Sequence, residues 1–137
     1  MVKINVDPIL KAMIEKAREL GLKRGSVVIL SVCTEHIYNE ESFGENFFRE
    51  PDPINRGPED KGVNYRAFAF GKIFQSFRTG KPSCTEYAMK GESPARGCVI
   101  SDDYTAYFAC SGGTEEQDVV IANVGKELYE HCQTQKK

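Results

Sequence analysis

The chain has little of what several large functional classes require. No apolar run approaches the roughly 18 residues of a membrane span, and the N-terminus has no signal-peptide core. A cytoplasmic protein without a membrane partner is expected. The net charge is -2 and no dense Lys/Arg stripe occurs, so nothing electrostatic argues for nucleic acid. Lys136-Lys137 reads as a solvated tail. Five cysteines lack CxxC or zinc-finger spacing, which fits a reducing compartment. Cys33, Cys110 and Cys132 sit in apolar patterns and read as buried thiols, whereas Cys84 and Cys98 lie near loops. GxSxG elbows, Walker loops and HExxH are absent. The two histidines, His36 and His131, are far apart, and neither has a local metal partner at helical spacing.

What is present is ordinary globular material. An apolar share of 40% with 28% charged residues suits a folded chain, and the length suits one domain over 1–137. The stretch from Tyr104 to Cys132 organises the rest. Tyr104–Cys110 has the content and length of a buried strand. Ser111-Gly112-Gly113 breaks it, since adjacent glycines permit positive φ. Thr114 and Gln117 form a capping box. Ile121, Ala122, Gly125, Leu128, Tyr129 and Cys132 then mark one face of a helix. Strand, glycine turn and capped helix bring free N–H groups and a positive dipole end to one point, which suits a carboxylate or phosphate. By turn chemistry alone, the plainer reading is that the glycines only make a tight turn.

Earlier in the chain, Asp7-Pro8 opens a helix with Asp7 as N-cap, and Leu10, Met13, Ile14, Ala17 and Leu20 form its stripe. Ser26–Val32 is too continuously apolar to be one-sided and reads as a central strand. Between Cys33 and Gly62, His36–Asn39 and Asn46–Arg49 are candidate strand pieces before a proline-rich irregular loop. Gly62–Thr79 is a second long helix ending at Gly80. Its stripe of Ala67, Phe70, Gly71, Phe74 and Phe77 reads as core. Lys72 and Arg66 interrupt or flank that stripe, snorkelling to solvent or neutralising an anionic ligand. Ser83–Lys90 is a candidate edge strand, Cys98–Ser101 a strand, and Asp102-Asp103 a hairpin turn. The order predicts an α+β domain with an antiparallel sheet.

The segment Cys110-Ser-Gly-Gly-Thr-Glu-Glu-Gln-Asp-Val-Val-Ile-Ala122 resembles the GlcG/HbpS-like haem-binding (haem-degrading-type) family, related to the PduO C-terminal domain. Ser111, Gly112, Gly113, Gln117, Asp118 and Ala122 match that family's Ser-Gly-Gly-x-x-x-Gln-Asp run and helix. Ala69-Phe-Gly-Lys72 and Ser76-Phe77 resemble its Ala/Lys helix. Gly97–Ile100 resembles its Gly-Gly-x-Pro-Ile segment, with Arg96 and Val99 in place of a glycine and the proline. The family's Asp-x-Gly-Gly hairpin is absent, replaced by Cys33–Glu45. The resemblance implies a profilin-like, GlcG-like fold: an antiparallel sheet of about five strands flanked by helices, often oligomeric. It also implies haem or a related tetrapyrrole as ligand in some members, and it carries over no catalytic residue.

Two functions follow as expectations. The first is a small-ligand-binding module for haem or a related tetrapyrrole. Phenylalanine-rich helix faces would enclose the ring, and Lys72 or Arg66 would pair with its propionates. His36 is then the candidate axial ligand. The alternative is an accessory or catalytic protein acting on a small carboxylate at the helix N-terminus, with Cys84 or Cys98 as a candidate reactive thiol. The candidate ligand-binding set is Lys72, Arg66, Ser111, Gly112, Gly113 and Asp118. A homo-oligomer is expected as well, because the adjacent aromatics Phe47-Phe48 would point to opposite faces of a strand near the surface.

Overall fold

A run such as Val27-Val28-Ile29 can bury both faces only in the middle of a sheet. The computed structural model, which describes residues 3–135, puts it there. The chain runs α1 (Asp7–Glu19), β1 (Arg24–Ser31), β2 (Tyr38–Gly44), β3 (Phe48–Arg49), α2 (Pro53–Arg56), β4 (Val63–Asn64), α3 (Tyr65–Thr79), β5 (Cys98–Ile100), β6 (Ala106–Ser111) and α4 (Glu115–Gln135). Four strands form one antiparallel sheet in the order β2-β1-β6-β5, and β3 pairs with β4 in a separate ribbon. This is the expected α+β class, with a sheet of four strands rather than about five. The Lys136-Lys137 tail lies outside the described residues.

Period-two alternation sorts the strand side chains into two cores. Val27, Ile29, Ala106, Phe108 and Cys110 face α1 and α4, where Met13, Ala17, Ile121 and Tyr129 are buried. Val28, Ala109 and Cys98 face α3 through Ala69 and Ile73. Helices therefore cover the sheet on both sides. Phe108 and Tyr129 meet edge to face at 5.3 Å, and the Tyr129 hydroxyl shares hydrogen bonds of 2.9 Å with Ser31 and Thr105. Fully burying such a side chain contributes about 1.5–3 kcal/mol.

Several local expectations shift. Asp7 stands inside the first turn of α1, one residue past the N-cap position; its own N–H donates to Asn5 Oδ1 at 3.1 Å. The second long helix starts at Tyr65 rather than Gly62, because Val63 and Asn64 pair with β3 and the Asn64 side chain caps the helix. Ser83–Lys90 forms no strand. Its Thr85–Tyr87 is a short 3-10 turn, and Ser83 alone guards the sheet edge, exchanging hydrogen bonds of 3.2 and 3.0 Å with the Cys98 backbone. The proline-rich loop is held in place. Arg49 binds Asp60 through both guanidinium nitrogens at 2.9 Å, and Asp60 also accepts the Asp52 and Gly62 N–H groups. Phe47 and Phe48 are half-buried, with the Arg66 guanidinium 5.1 Å over the Phe47 ring. Arg66 of α3 thus covers Phe47, and the end of the loop at Gly62, where an added Cβ would stand 3.2 Å from the Phe48 ring, covers Phe48.

Tyr104, expected in a strand, lies in the turn before β6 at φ 61°. Asp103 holds this turn by accepting from Ser101 Oγ at 2.8 Å, Thr105 Oγ1 at 2.7 Å and Gln133 Nε2 at 2.8 Å. Burial alone would raise its carboxyl, but the donors outweigh it and bring the pKa from 3.8 to about 2. A depressed folded value means stability that is present above pH 3.8 and lost as pH falls through about 2. After screening at this exposed site, Asp103→Ala is expected to cost about 1 kcal/mol at neutral pH. Urea titrations should show that gap closing as pH falls through the acid range; a gap independent of pH would refute it.

Candidate functional site

The Ser-Gly-Gly turn is closed by the chain's own side chains. Ser111 is buried and pairs with Ser26 across the sheet. The capping box forms as expected: Thr114 N–H donates to Gln117 Oε1 at 2.9 Å, and Gln117 N–H to Thr114 Oγ1 at 3.2 Å. Gly113 N–H donates to Asp118 Oδ1 at 3.0 Å. The amides of Gly113 and Thr114, which an anion would seek, are therefore taken. Gly112, at φ 145°, comes so near the start of β1 that a Cβ would stand 2.4 Å from the Arg24 carbonyl oxygen. Close packing is the reason for that glycine.

Lys72 and Asp118 meet inside the fold. Lys72 Nζ lies 2.9 Å from Asp118 Oδ2 and 2.8 Å from the Cys110 carbonyl, with the two side chains 3% and 4% exposed. Burial raises the Asp118 pKa above its ordinary 3.8; Lys72 and the Gly113 N–H pull the other way without cancelling it. Gly97 lets the ammonium reach its carbonyl, since a Cβ there would fall 2.7 Å from Nζ. Lys72 keeps no face for an incoming anion. Cys98, the candidate reactive thiol, is fully buried and its pKa is pushed by burial to about 12, so no thiolate forms there at neutral pH. Cys84 is half-buried, its N–H held by Gln75 at 2.7 Å.

The aromatic stripe of α3 is not core. Ala69, Lys72, Ile73, Gln75 and Ser76 point inward, while Phe70, Phe74 and Phe77 are 51%, 52% and 64% exposed. The inward side is small and polar because Lys72 finds Asp118 across the molecule. Outward, Arg66, Phe70, Phe74 and Phe77 follow one another along one flank at helical spacing. Beside them runs a single rung of the sheet, Tyr38–Leu30–Tyr107. Phe70 tilts onto Tyr38 and Phe77 onto Tyr107, each with ring centroids 5.8 Å apart. The result is an open aromatic trough, about 10 Å long between Phe70 and Phe77. At its Tyr38 end Arg66 is paired with Glu40, which also accepts the Tyr38 hydroxyl at 3.0 Å. Burial, then Glu40, pushes the Tyr38 pKa up to about 12, and the Arg66 guanidinium holds the Glu40 carboxyl below its usual range.

Other expected site residues stand apart from the trough. His36 is exposed in the β1–β2 connection and lines a largely polar cleft of about 360 Å³ with Ile4, Val6, Asp7 and Asn39. A second cleft of about 450 Å³ is lined by Lys23, Arg24, Arg49, Arg56 and Tyr65 together with Gly112 and Gly113. Its arginines were unread in the sequence, because Arg24, Arg49 and Arg56 lie in three separate segments and Arg56 in the proline-rich loop. Among the described residues, no three His, Cys, Asp or Glu side chains gather as a metal site, and no helix is long and apolar enough to cross a membrane.

No family model matches the chain, and no curated protein matches it in sequence. Solved structures do. The crystal structure of Klebsiella pneumoniae protein ORFY, described as family-model DUF336, is 14% identical with a TM-score of 0.59, covering 95% of this chain and 93% of that one. The crystal structure of a PduOC:heme complex is 16% identical with a TM-score of 0.57, covering 92% of this chain and 94% of that one. At such identities the likeness is one of fold, and the GlcG-like fold expected from the Ser-Gly-Gly segment is the one observed.

Proposed function

We propose that the domain binds a planar, largely apolar small molecule bearing acidic groups, haem or a related tetrapyrrole, along the α3 trough. One observation carries this reading: three phenylalanines more than half exposed on one helix flank, beside a Tyr–Leu–Tyr rung. Contiguous exposed apolar surface of this kind marks interaction sites, and flat rings stack on tilted aromatics. The heme complex among the structures of similar fold supports the ligand class. Arg66, its side chain 45% exposed, would turn from Glu40 to an acidic substituent of the ligand.

The fit to iron is poorer than the fit to the ring. The trough offers no imidazole, thiolate or thioether, burial raises the pKa of both its phenols, Tyr38 and Tyr107, against the phenolate that iron would need, and His36 lines the polar cleft instead. Haem would be held through its macrocycle and acidic groups, with His36 outside the contact. The enzymatic alternative has less support, since its cradle amides at Gly113 and Thr114 are capped from within.

Absorbance titration with hemin and with metal-free protoporphyrin tests the proposal. Both bands are expected to shift. Phe70→Ser/Phe77→Ser should weaken uptake at least about tenfold, as truncating stacked anchors does, and His36→Ala should leave it unchanged. A spectrum unmoved by either compound, or uptake indifferent to the phenylalanines, ends this reading. Loss of hemin alone in His36→Ala would restore His36 as the iron ligand. The homo-oligomer reading now rests on the same flank; light scattering of the ligand-free chain tests it, and a monomer across micromolar concentrations rules it out.

A further inference from the structure

We infer a second site, for a small dianion, in the basic cleft at the opposite end of β1, roughly 20 Å along the strand from the Tyr38–Leu30–Tyr107 rung. Three separate parts of the chain bring cations to it. Lys23 and Arg24 stand at the entry to β1, Arg49 comes from β3, and Arg56 ends α2. Convergence of like charge is unfavourable unless something answers it. Arg24 is answered by Glu45 at 2.5 Å and Arg49 by Asp60 at 2.9 Å. Lys23 and Arg56 are not held in this way: among the described residues neither forms a direct ion pair, and Arg56 feels the charge of Asp52 only at a distance. Asp52 accepts the Asn55 N–H and side-chain amide of its own short helix, and these hydrogen bonds hold its carboxyl low more than the charge of Arg56 does.

The two paired arginines are the fixed walls. Arg49 is only 16% exposed at its side chain, and Arg24 also reaches the Phe48 carbonyl at 3.5 Å. Lys23 and Arg56 are exposed, and their long side chains can rotate to meet a guest. The volume, about 450 Å³, is that of a small-molecule site, and the lining is polar rather than apolar. Two cations outside any direct ion pair, against rigid basic walls, call for a guest with two negative charges on oxygen, a phosphate monoester or a dicarboxylate. The capped Ser-Gly-Gly turn contributes a wall, not a set of donors.

Calorimetric titration at low ionic strength with inorganic phosphate and with succinate tests this, with chloride at matched ionic strength as the blank. Saturable binding of one equivalent per chain is expected for at least one probe, and the preferred probe identifies the oxygen chemistry. Lys23→Ala/Arg56→Ala should weaken it by about tenfold or more, whereas Lys11→Ala, which removes a charge from the outer face of α1, should not. The single variant Arg56→Gln gives an intermediate loss if the double variant folds poorly. Porphyrin uptake should be unchanged in all of them, which separates this site from the trough. No saturable heat with either probe, or heat indifferent to Lys23 and Arg56, overturns the inference.

Discussion

Asp118→Leu is expected to lower the unfolding free energy by about 3–5 kcal/mol, because it strands the Lys72 ammonium in the core with only the Cys110 carbonyl as partner. For a chain of 137 residues this is a drop in Tm of the order of 10–20 °C. Lys72→Met should be comparably damaging, leaving the Asp118 carboxylate to the Gly113 N–H and the Cys110 thiol, with no counter-charge. The double variant Lys72→Met/Asp118→Leu should recover much of the loss, since replacing both members of a buried pair by apolar groups is often neutral. The pH dependence has a definite sign. Asp118 has a folded pKa above its unfolded 3.8, so the native state binds the extra proton and stability falls as pH rises through that window. Without Lys72 to oppose burial, the carboxyl rises further and the window extends upward. Urea midpoints across pH for the four chains measure this. If Lys72 served a ligand instead, Lys72→Met would fold normally and lose only binding.

That pair also explains what was legible in the sequence. Signals confined to neighbours were readable: the β-branched run at Val27–Ile29, the Thr114–Gln117 capping box and the stop at Gly80 all depend on residues a few positions apart. The orientation of α3 was not. Its phenylalanine stripe has the periodicity of a buried face, and a helix satisfies that pattern equally well with the stripe inward or outward. What decides is Asp118, on another helix 46 residues away, which supplies the partner a buried lysine needs. Long-range pairing of this kind leaves no local mark. For the same reason the trough was unreadable: its rung joins three strands, and its aromatic wall was assigned to the core. The basic cleft was hidden too, because its cations come from segments whose nearness depends on the Arg49–Asp60 clamp. His36 was singled out by chemistry alone, and chemistry without position did not bring it to the trough.

The two glycines of the Ser-Gly-Gly turn are expected to differ sharply when substituted. Gly112→Ala should cost about 3–4 kcal/mol. Part of this is the strain of a side chain at φ 145°. The rest is overpacking, since the new methyl lies 2.4 Å from the Arg24 carbonyl oxygen and 2.9 Å from the Gly25 Cα, both of them backbone at the paired end of β1. Neither β1 nor β6 can retreat without breaking the Ser26–Ser111 end of their ladder. At Gly113 the nearest atoms to a new methyl are side-chain atoms, Gln117 Oε1 at 2.7 Å and Leu22 Cδ2 at 3.0 Å. These can rotate away at the price of the Thr114–Gln117 cap, so Gly113→Ala should lose about 1 kcal/mol. Equilibrium urea unfolding of the two variants measures the contrast. Equal losses would sink the packing account, and a Gly112→Ala protein of native stability with impaired anion binding would return the turn to service as a ligand cradle.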